Sequence, residues 1–135
     1  MAAALWLIGL TLIGIAGLLH IGFFLLQTVL WPSRGRRLFG VSREHDDAVR
    51  PWARNQGWYN LFLAVGAIGS AVAGIVWWDS LLAIIAAPIA AFVALCMLGA
   101  SLVLLATDRR MRGGALLQGL APLLGLIALG FATFG

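Results

Sequence analysis

The segment LLAIIAAPIAAFVALCMLGASLVLLAT, Leu81–Thr107, runs for 27 residues without a charged side chain. About 20 apolar residues in a helix are enough to cross the roughly 30 Å hydrocarbon core of a bilayer. Two apolar runs of comparable length precede this segment and one follows it. We therefore predict an all-α integral membrane protein, an antiparallel four-helix bundle that forms a single domain, 1–135. The predicted spans are about 2–31, 56–78, 81–107 and 113–134.

The composition of the chain agrees with a membrane location. Hydrophobic residues make up 62% of the 135 residues and charged residues 10%, with a mean hydropathy of +1.01. A soluble domain of this size could not cover so much apolar surface with polar side chains. The first run contains His20 and Gln27 and has no Lys or Arg before it, so we expect it to remain as a helix rather than be cleaved as a signal peptide.

The positive charges predict the orientation of the bundle. All nine basic side chains are arginines, and they fall into two segments of the chain. Because basic residues accumulate on the cytoplasmic side of membrane proteins, we expect both segments in the cytoplasm and both termini on the opposite side. The isoelectric point near 11.1 follows from this topology, and we expect no nucleic-acid partner. The arginines are Arg34, Arg36, Arg37, Arg43, Arg50 and Arg54 in the connector 32–55, and Arg109, Arg110 and Arg112 between the last two spans.

The connectors between spans differ in length. Only Asp79-Ser80 separates the second span from the third, which predicts a tight antiparallel hairpin. In the connector 32–55, Trp31-Pro32 is expected to end the first helix. Ser42 is expected to cap a short interfacial helix that runs through Ala48 and stops at Arg50-Pro51.

Polar side chains within the apolar runs mark a predicted interior site. Gln56, Tyr59 and Asn60 are spaced i, i+3 and i+4, so in a helix they share one face. Counted from the predicted helix ends, Gln27, Asn60 and Gln118 lie about 6–9 Å inside the membrane on three different helices. Polar groups at that depth are expected to face protein or water rather than lipid. We predict a polar pocket that opens to the cytoplasm, reaches down to His20 and is roofed by the Arg-rich connector.

The candidate site residues have two interpretations. Interhelical amide hydrogen bonds, about 0.6 kcal/mol each, could simply fix helix packing. A binding pocket is favoured because the set offers more donors and acceptors than packing requires. His20 and Tyr59 are the candidate catalytic residues; Cys96, a single thiol, is interpreted as core, and no metal-ligand spacing is present. The predicted ligand-binding residues are His20, Gln27, Trp31, Arg54, Asn55, Gln56, Tyr59, Asn60 and Gln118.

The same residues resemble a bacterial membrane protein family, the domain of unknown function 1304. The resemblance covers almost the whole chain, and Asn55-Gln56-Gly57-Trp58-Tyr59-Asn60 matches its Asn-Gln-Gly-x-Tyr-Asn core. The family pattern has a Glu seven residues after the His, where this chain has Gln27 seven residues after His20. The resemblance implies a multi-pass protein of the bacterial cytoplasmic membrane and the same choice of site residues, with no reaction attached.

A weaker likeness concerns the membrane-associated glutathione and eicosanoid enzymes, which are small four-helix trimers. Their second helix opens with an Arg…Asn…Glu pattern, and Arg50, Arg54 and Asn55 resemble part of it, without the Glu. The likeness implies that Arg54 would hold carboxylates of a thiol cofactor whose thiolate a polar side chain stabilises.

Three functional hypotheses follow from the residues and these resemblances. The first is a protein that binds a small polar or amphipathic molecule, such as a lipid headgroup, in the pocket. The second is a small membrane enzyme, for instance a glutathione-type transferase, and the third is a structural or accessory subunit or small transporter. In each case we expect contact with membrane lipid and a homo-oligomer, a dimer or trimer formed along glycine-lined faces. The residues name no cofactor.

Overall fold

A computed structural model of the chain, describing residues 1–135, confirms the all-α four-helix architecture. Four of its five helices are long and apolar enough to cross a membrane, so the protein is a multi-pass membrane protein. A π-helical turn, Trp31–Gly35, precedes the shortest helix, and a 3-10 turn, Arg109–Met111, precedes the last. The helices are α1 Ala2–Gln27, α2 Arg36–Leu38, α3 Asp46–Val76, α4 Leu81–Thr107 and α5 Arg112–Phe134.

The four long helices are arranged as the corners of a square. Around the bundle the order is α1, α3, α4, α5, so that α1 packs against both α3 and α5 and touches α4 only slightly. The core between them is made of close-packed, mostly small side chains around Leu10, Ile13 and Met97. At Gly9 and Gly125 the backbones of α1 and α5 meet directly, because a Cβ on either glycine would lie 3.0 Å from a carbonyl oxygen of the other.

Polar bonds between helices occur at both ends of the bundle. At one end the indole N–H of Trp6 on α1 donates to the carbonyl of Gly74 on α3, at 2.9 Å. At the other end, where the arginines lie, the Asn60 amide of α3 donates to Gln27 of α1. Such bonds fix the register of α1 against α3 along its whole length.

The connector between α1 and α3 differs from the prediction. The α-helix of the first span ends at Gln27, four residues before the predicted stop at Trp31-Pro32, and the chain then turns through the π-helical segment. No separate helix is capped by Ser42, whose hydroxyl instead lies 2.7 Å from Nδ1 of His45. The short helix of the connector is α2, earlier in the chain than predicted.

Pro51 does not stop a helix, contrary to the sequence-based expectation. It is the sixth residue of α3, which begins at Asp46 and continues without a break to Val76. At this position the missing N–H removes a single intrahelical bond, next to a first turn whose N–H groups have no helical partner in any case. With 31 residues, α3 is about 46 Å long, so its first turns extend beyond the hydrocarbon core.

Candidate functional site

A cavity of about 530 Å³ lies between the four long helices at the arginine-containing end of the bundle. The hairpin of α3 and α4 is closed at the opposite end by the turn at Trp77–Ser80, and both helices contribute residues to the cavity. Thirteen residues line the cavity: Phe23, Gln27, Phe39, Gln56, Asn60, Ala100, Val103, Leu104, Thr107, Asp108, Met111, Gly114 and Gln118.

Four predicted amides meet in this cavity, from three helices. Asn60 donates through Nδ2 to Oε1 of Gln27 at 2.7 Å, and the remaining polar atoms of both side chains form no hydrogen bond within the chain. The side chains of Gln56 and Gln118 have no hydrogen-bond partner in the protein at all. A single amide pair is therefore satisfied, while several donors and acceptors remain open to whatever fills the cavity.

The wall behind Gln118 is held by a polar contact between α4 and α5. The hydroxyl of Ser101 donates to the backbone carbonyl of Ala115 at 2.6 Å. Gly119 packs directly on this hydroxyl, and a Cβ at that position would overlap Ser101 Oγ. The absence of a side chain at Gly119 thus allows α5 to approach α4 closely enough to turn Gln118 toward the cavity.

Apolar and acidic residues that the sequence did not single out complete the cavity. Phe23 lies one helical turn before Gln27, and Phe39 reaches the cavity from the connector. Asp108 and Met111 contribute from the turn between α4 and α5, where Asp108 Oδ1 accepts from the backbone N–H of Arg110. Phe23 could have been predicted, because a spacing of four residues puts it on the same helix face as Gln27. Phe39 could not, because its position depends on how the connector folds.

No arginine lines the cavity, which corrects the expectation of an Arg-rich roof. The connector contributes Phe39 alone. Of the predicted ligand-binding set, Gln27, Gln56, Asn60 and Gln118 are brought together. His20, Trp31, Arg54, Asn55 and Tyr59 are not.

His20 is sealed beneath the cavity instead of forming its floor. The side chain is fully buried, and its Nδ1 lies 2.8 Å from the carbonyl of Ala16. Because a carbonyl only accepts, Nδ1 carries the proton of this bond, and Nε2 is left buried without a partner. The ring of Phe23 stands edge-on to His20 at a centroid distance of 5.6 Å and separates it from the amides.

Trp31 has a structural contact that the predicted site did not include. The side chain is 2% exposed, and its indole N–H donates to Oδ1 of Asp46 at 2.8 Å, joining the end of the first span to the start of α3. Arg50 pairs with the other oxygen of the same carboxylate. These two donors, Arg50 first, hold the pKa of Asp46 below its ordinary value of 3.8.

The two candidate catalytic residues do not face the cavity. Tyr59 is 58% exposed on the outside of α3, next to Asn60 in sequence but on another face. Arg54 and Asn55 lie on the outer surface of the same helix, where they border shallow depressions with Trp58. Since His20 is enclosed as well, no titratable side chain of the predicted set lines the cavity, and Asp108 is the charged residue that does.

The comparisons with known proteins agree with this architecture. The model of one protein family, described as Protein of unknown function (DUF1304), matches residues 14–130. That match covers most of the chain, with all of α3 and α4 and parts of α1 and α5, so the chain belongs to this family. No curated protein and no solved structure matches the chain.

Proposed function

We propose that the protein binds a small molecule with an uncharged polar group and an apolar part in the cavity between its four long helices. The observation that carries this proposal is the convergence of four amide side chains, of which only Gln27 and Asn60 bond to each other. Gln56 is exposed and Gln118 half-buried, and neither bonds within the protein, so both amides are accessible to a ligand. Open donors and acceptors in a cavity of this size are typical of ligand sites, which range over about 300–1,000 Å³.

The lining of the cavity indicates the chemistry of the ligand. No Arg or Lys is present to neutralise a phosphate or carboxylate, and the one charged lining residue is Asp108. Amides bind groups that both donate and accept, such as a hydroxyl or another amide. Phe23, Phe39 and Met111 provide an apolar surface beside them, which favours an amphipathic molecule over a purely polar one.

The cavity has an edge that faces lipid. Ala100 and Val103 of α4 line it and are also exposed on the outside of the bundle, Val103 by 63%. An amphipathic ligand could therefore place its polar group against the amides and extend its apolar part between α3 and α4 into the bilayer. Such an entry route requires no opening of the bundle.

The orientation and location of the protein form part of the same proposal. The arginines of both connectors support a cytoplasmic position for the cavity end, and the family resemblance supports the bacterial cytoplasmic membrane. The ligand would then enter from the cytoplasm or from the inner leaflet. The enzymatic alternative has less support, because neither His20 nor Tyr59 lines the cavity.

The predicted homo-oligomer, a dimer or trimer, remains a proposal too. Most glycines of α1 and α3 are used for packing inside the chain, but Gly69 of α3 and Gly99 of α4 have open space around the position of a Cβ. Among the open glycines, which also include Gly22, Gly113 and Gly130, these two are places where a second copy could approach closely. Cross-linking between cysteines introduced at Gly69 or Gly99, performed in membranes, would test each face.

The test of the binding function uses two neighbouring amides of α3. Gln56 lines the cavity and Asn55 lies outside it, so Gln56→Leu and Asn55→Leu remove the same chemistry from the two places. Native mass spectrometry of protein extracted gently from its own membrane should show a small molecule on the wild type and on Asn55→Leu. Binding of the molecule should weaken about fivefold in Gln56→Leu and about 25-fold when Gln118→Leu is added, since each lost amide bond weakens binding by about fivefold. Equal occupancy in all four proteins would show that the amides serve packing only.

A further inference from the structure

A second concave surface lies outside the bundle, where α1 meets the first turns of α3. One depression of about 340 Å³ and an adjoining one of about 420 Å³ share Arg50, Arg54 and Trp58. We call these two depressions together the outer groove. Phe24, Val29, Trp31 and Pro32 form its wall on the α1 side. The Gln27–Asn60 hydrogen bond stands between this groove and the amide cavity, and Gln27 borders both.

The outer groove contains one arginine without an acidic partner. Arg50 and Arg54 are one helical turn apart on the same face of α3. Asp46 and Asp47 both pair with Arg50. Arg54 has no acidic group within 4.0 Å, so its guanidinium is free to bind an anion that lies in the groove.

The surroundings of these arginines are those of a membrane–water interface. Trp58 is 42% exposed and packs edge-on against Phe24, at a centroid distance of 5.4 Å. One turn further into the membrane Phe62 continues the aromatic row and is 63% exposed. Beside the groove, Val29 is 68% exposed. From the water toward the membrane interior, the groove therefore presents arginines, then the indole of Trp58, then exposed apolar side chains. A phospholipid presents its phosphate, its glycerol region and its acyl chains in the same order.

We infer that the outer groove binds an anionic phospholipid of the surrounding leaflet, with its phosphate held by Arg54, while Arg50 stays paired with Asp46 and Asp47. A guanidinium presents two parallel N–H groups that match a phosphate. The acyl chains would lie on Trp58, Phe62 and Val29. This site is distinct from the amide cavity in position and in charge, because no arginine reaches the cavity.

The experiment compares lipid binding by two variants that each lose one arginine, with the wild type as reference. Delipidated protein is titrated with phosphatidylglycerol or phosphatidylcholine, and bound lipid is counted by native mass spectrometry. Arg54→Gln is compared with Arg109→Gln, which removes the same charge from the connector between α4 and α5. We expect Arg54→Gln to weaken phosphatidylglycerol binding about fivefold, with phosphatidylcholine unchanged and Arg109→Gln close to wild type.

Several outcomes would overturn the inference. Equal losses in Arg54→Gln and Arg109→Gln would show that phosphatidylglycerol responds only to overall charge. If Arg54→Gln binds phosphatidylglycerol as tightly as the wild type, the outer groove is not the binding site. Displacement of the lipid by millimolar inorganic phosphate would assign the site to free anions instead. Gln56→Leu keeps the groove intact and should retain phosphatidylglycerol, so this result is independent of the cavity ligand.

Discussion

Gly119 offers the sharpest test of how the cavity wall is built. In Gly119→Ala the new Cβ would overlap the hydroxyl of Ser101 and lie 2.9 Å from its Cβ. Overpacking of this kind costs about 1–3 kcal/mol. Displacing the Ser101 side chain also breaks its bond to Ala115, which between membrane helices is worth about 0.6 kcal/mol. The better helix propensity of Ala returns about 0.5–1 kcal/mol, leaving an expected loss of about 2 kcal/mol in the free energy of unfolding.

The measurement is a double-mutant cycle in mixed micelles, with unfolding followed by denaturing detergent. Ser101→Gly removes both atoms that the new methyl group meets, so Gly119→Ala should be nearly harmless in that background, with a coupling of at least about 1 kcal/mol. Gly130→Ala is the matched control on α5, because nothing lies within 4 Å of its added Cβ. The packing argument fails if Gly130→Ala and Gly119→Ala destabilise equally, or if the two changes in the cycle are additive.

Three further predictions concern polar groups. Asn60→Leu removes the bond to Gln27, whereas Asn55→Leu removes an amide that has no hydrogen-bond partner within the protein; a thermal shift in detergent should therefore fall only for Asn60→Leu. His20→Leu removes an unpartnered buried nitrogen that costs about 1–3 kcal/mol, so unfolding stability should be unchanged or higher, and a marked loss would reveal a hidden partner of Nε2. Because Arg50 lowers the pKa of Asp46, its stabilisation is present above the ordinary value of 3.8 and disappears as pH falls through the lower folded pKa; the stability difference between wild type and Asp46→Asn should shrink over that acidic range and stay constant above pH 5.

The sequence was sufficient for the bounds of α4 because polar residues stand at both of its ends. Ser80 and Asp108 bracket α4, and the prediction of 81–107 matches the structure at both ends. The start of α3 was predicted wrongly because Pro51 was treated as a stop. The rule that proline breaks helices applies to the interior, and Pro51 lies too near the N-terminus for the loss of one bond to end the helix.

Helical spacing predicted the amides well and their neighbours poorly. Gln56 and Asn60, four residues apart, do share the cavity, but Tyr59 lies about 100° away from Asn60 around the helix and points outward. Trp31 was included in the predicted site because the first helix was expected to continue to residue 31. The helix ends at Gln27 instead, so helical spacing no longer determines the direction of the Trp31 side chain, and its indole bonds to Asp46.

The turn at Trp77–Ser80 has a consequence for how the chain enters the membrane. Apart from Asp79, every charged side chain of the protein lies at the other end of the bundle, in the two connectors or in the first turns of α3 and α5 that follow them. With so short a turn, α3 and α4 form one hairpin, and in the orientation proposed above only the carboxylate of Asp79 would have to cross the hydrocarbon with it. The arginines would then stay on the side where the ribosome delivers them, so that insertion of the hairpin would move almost no charge.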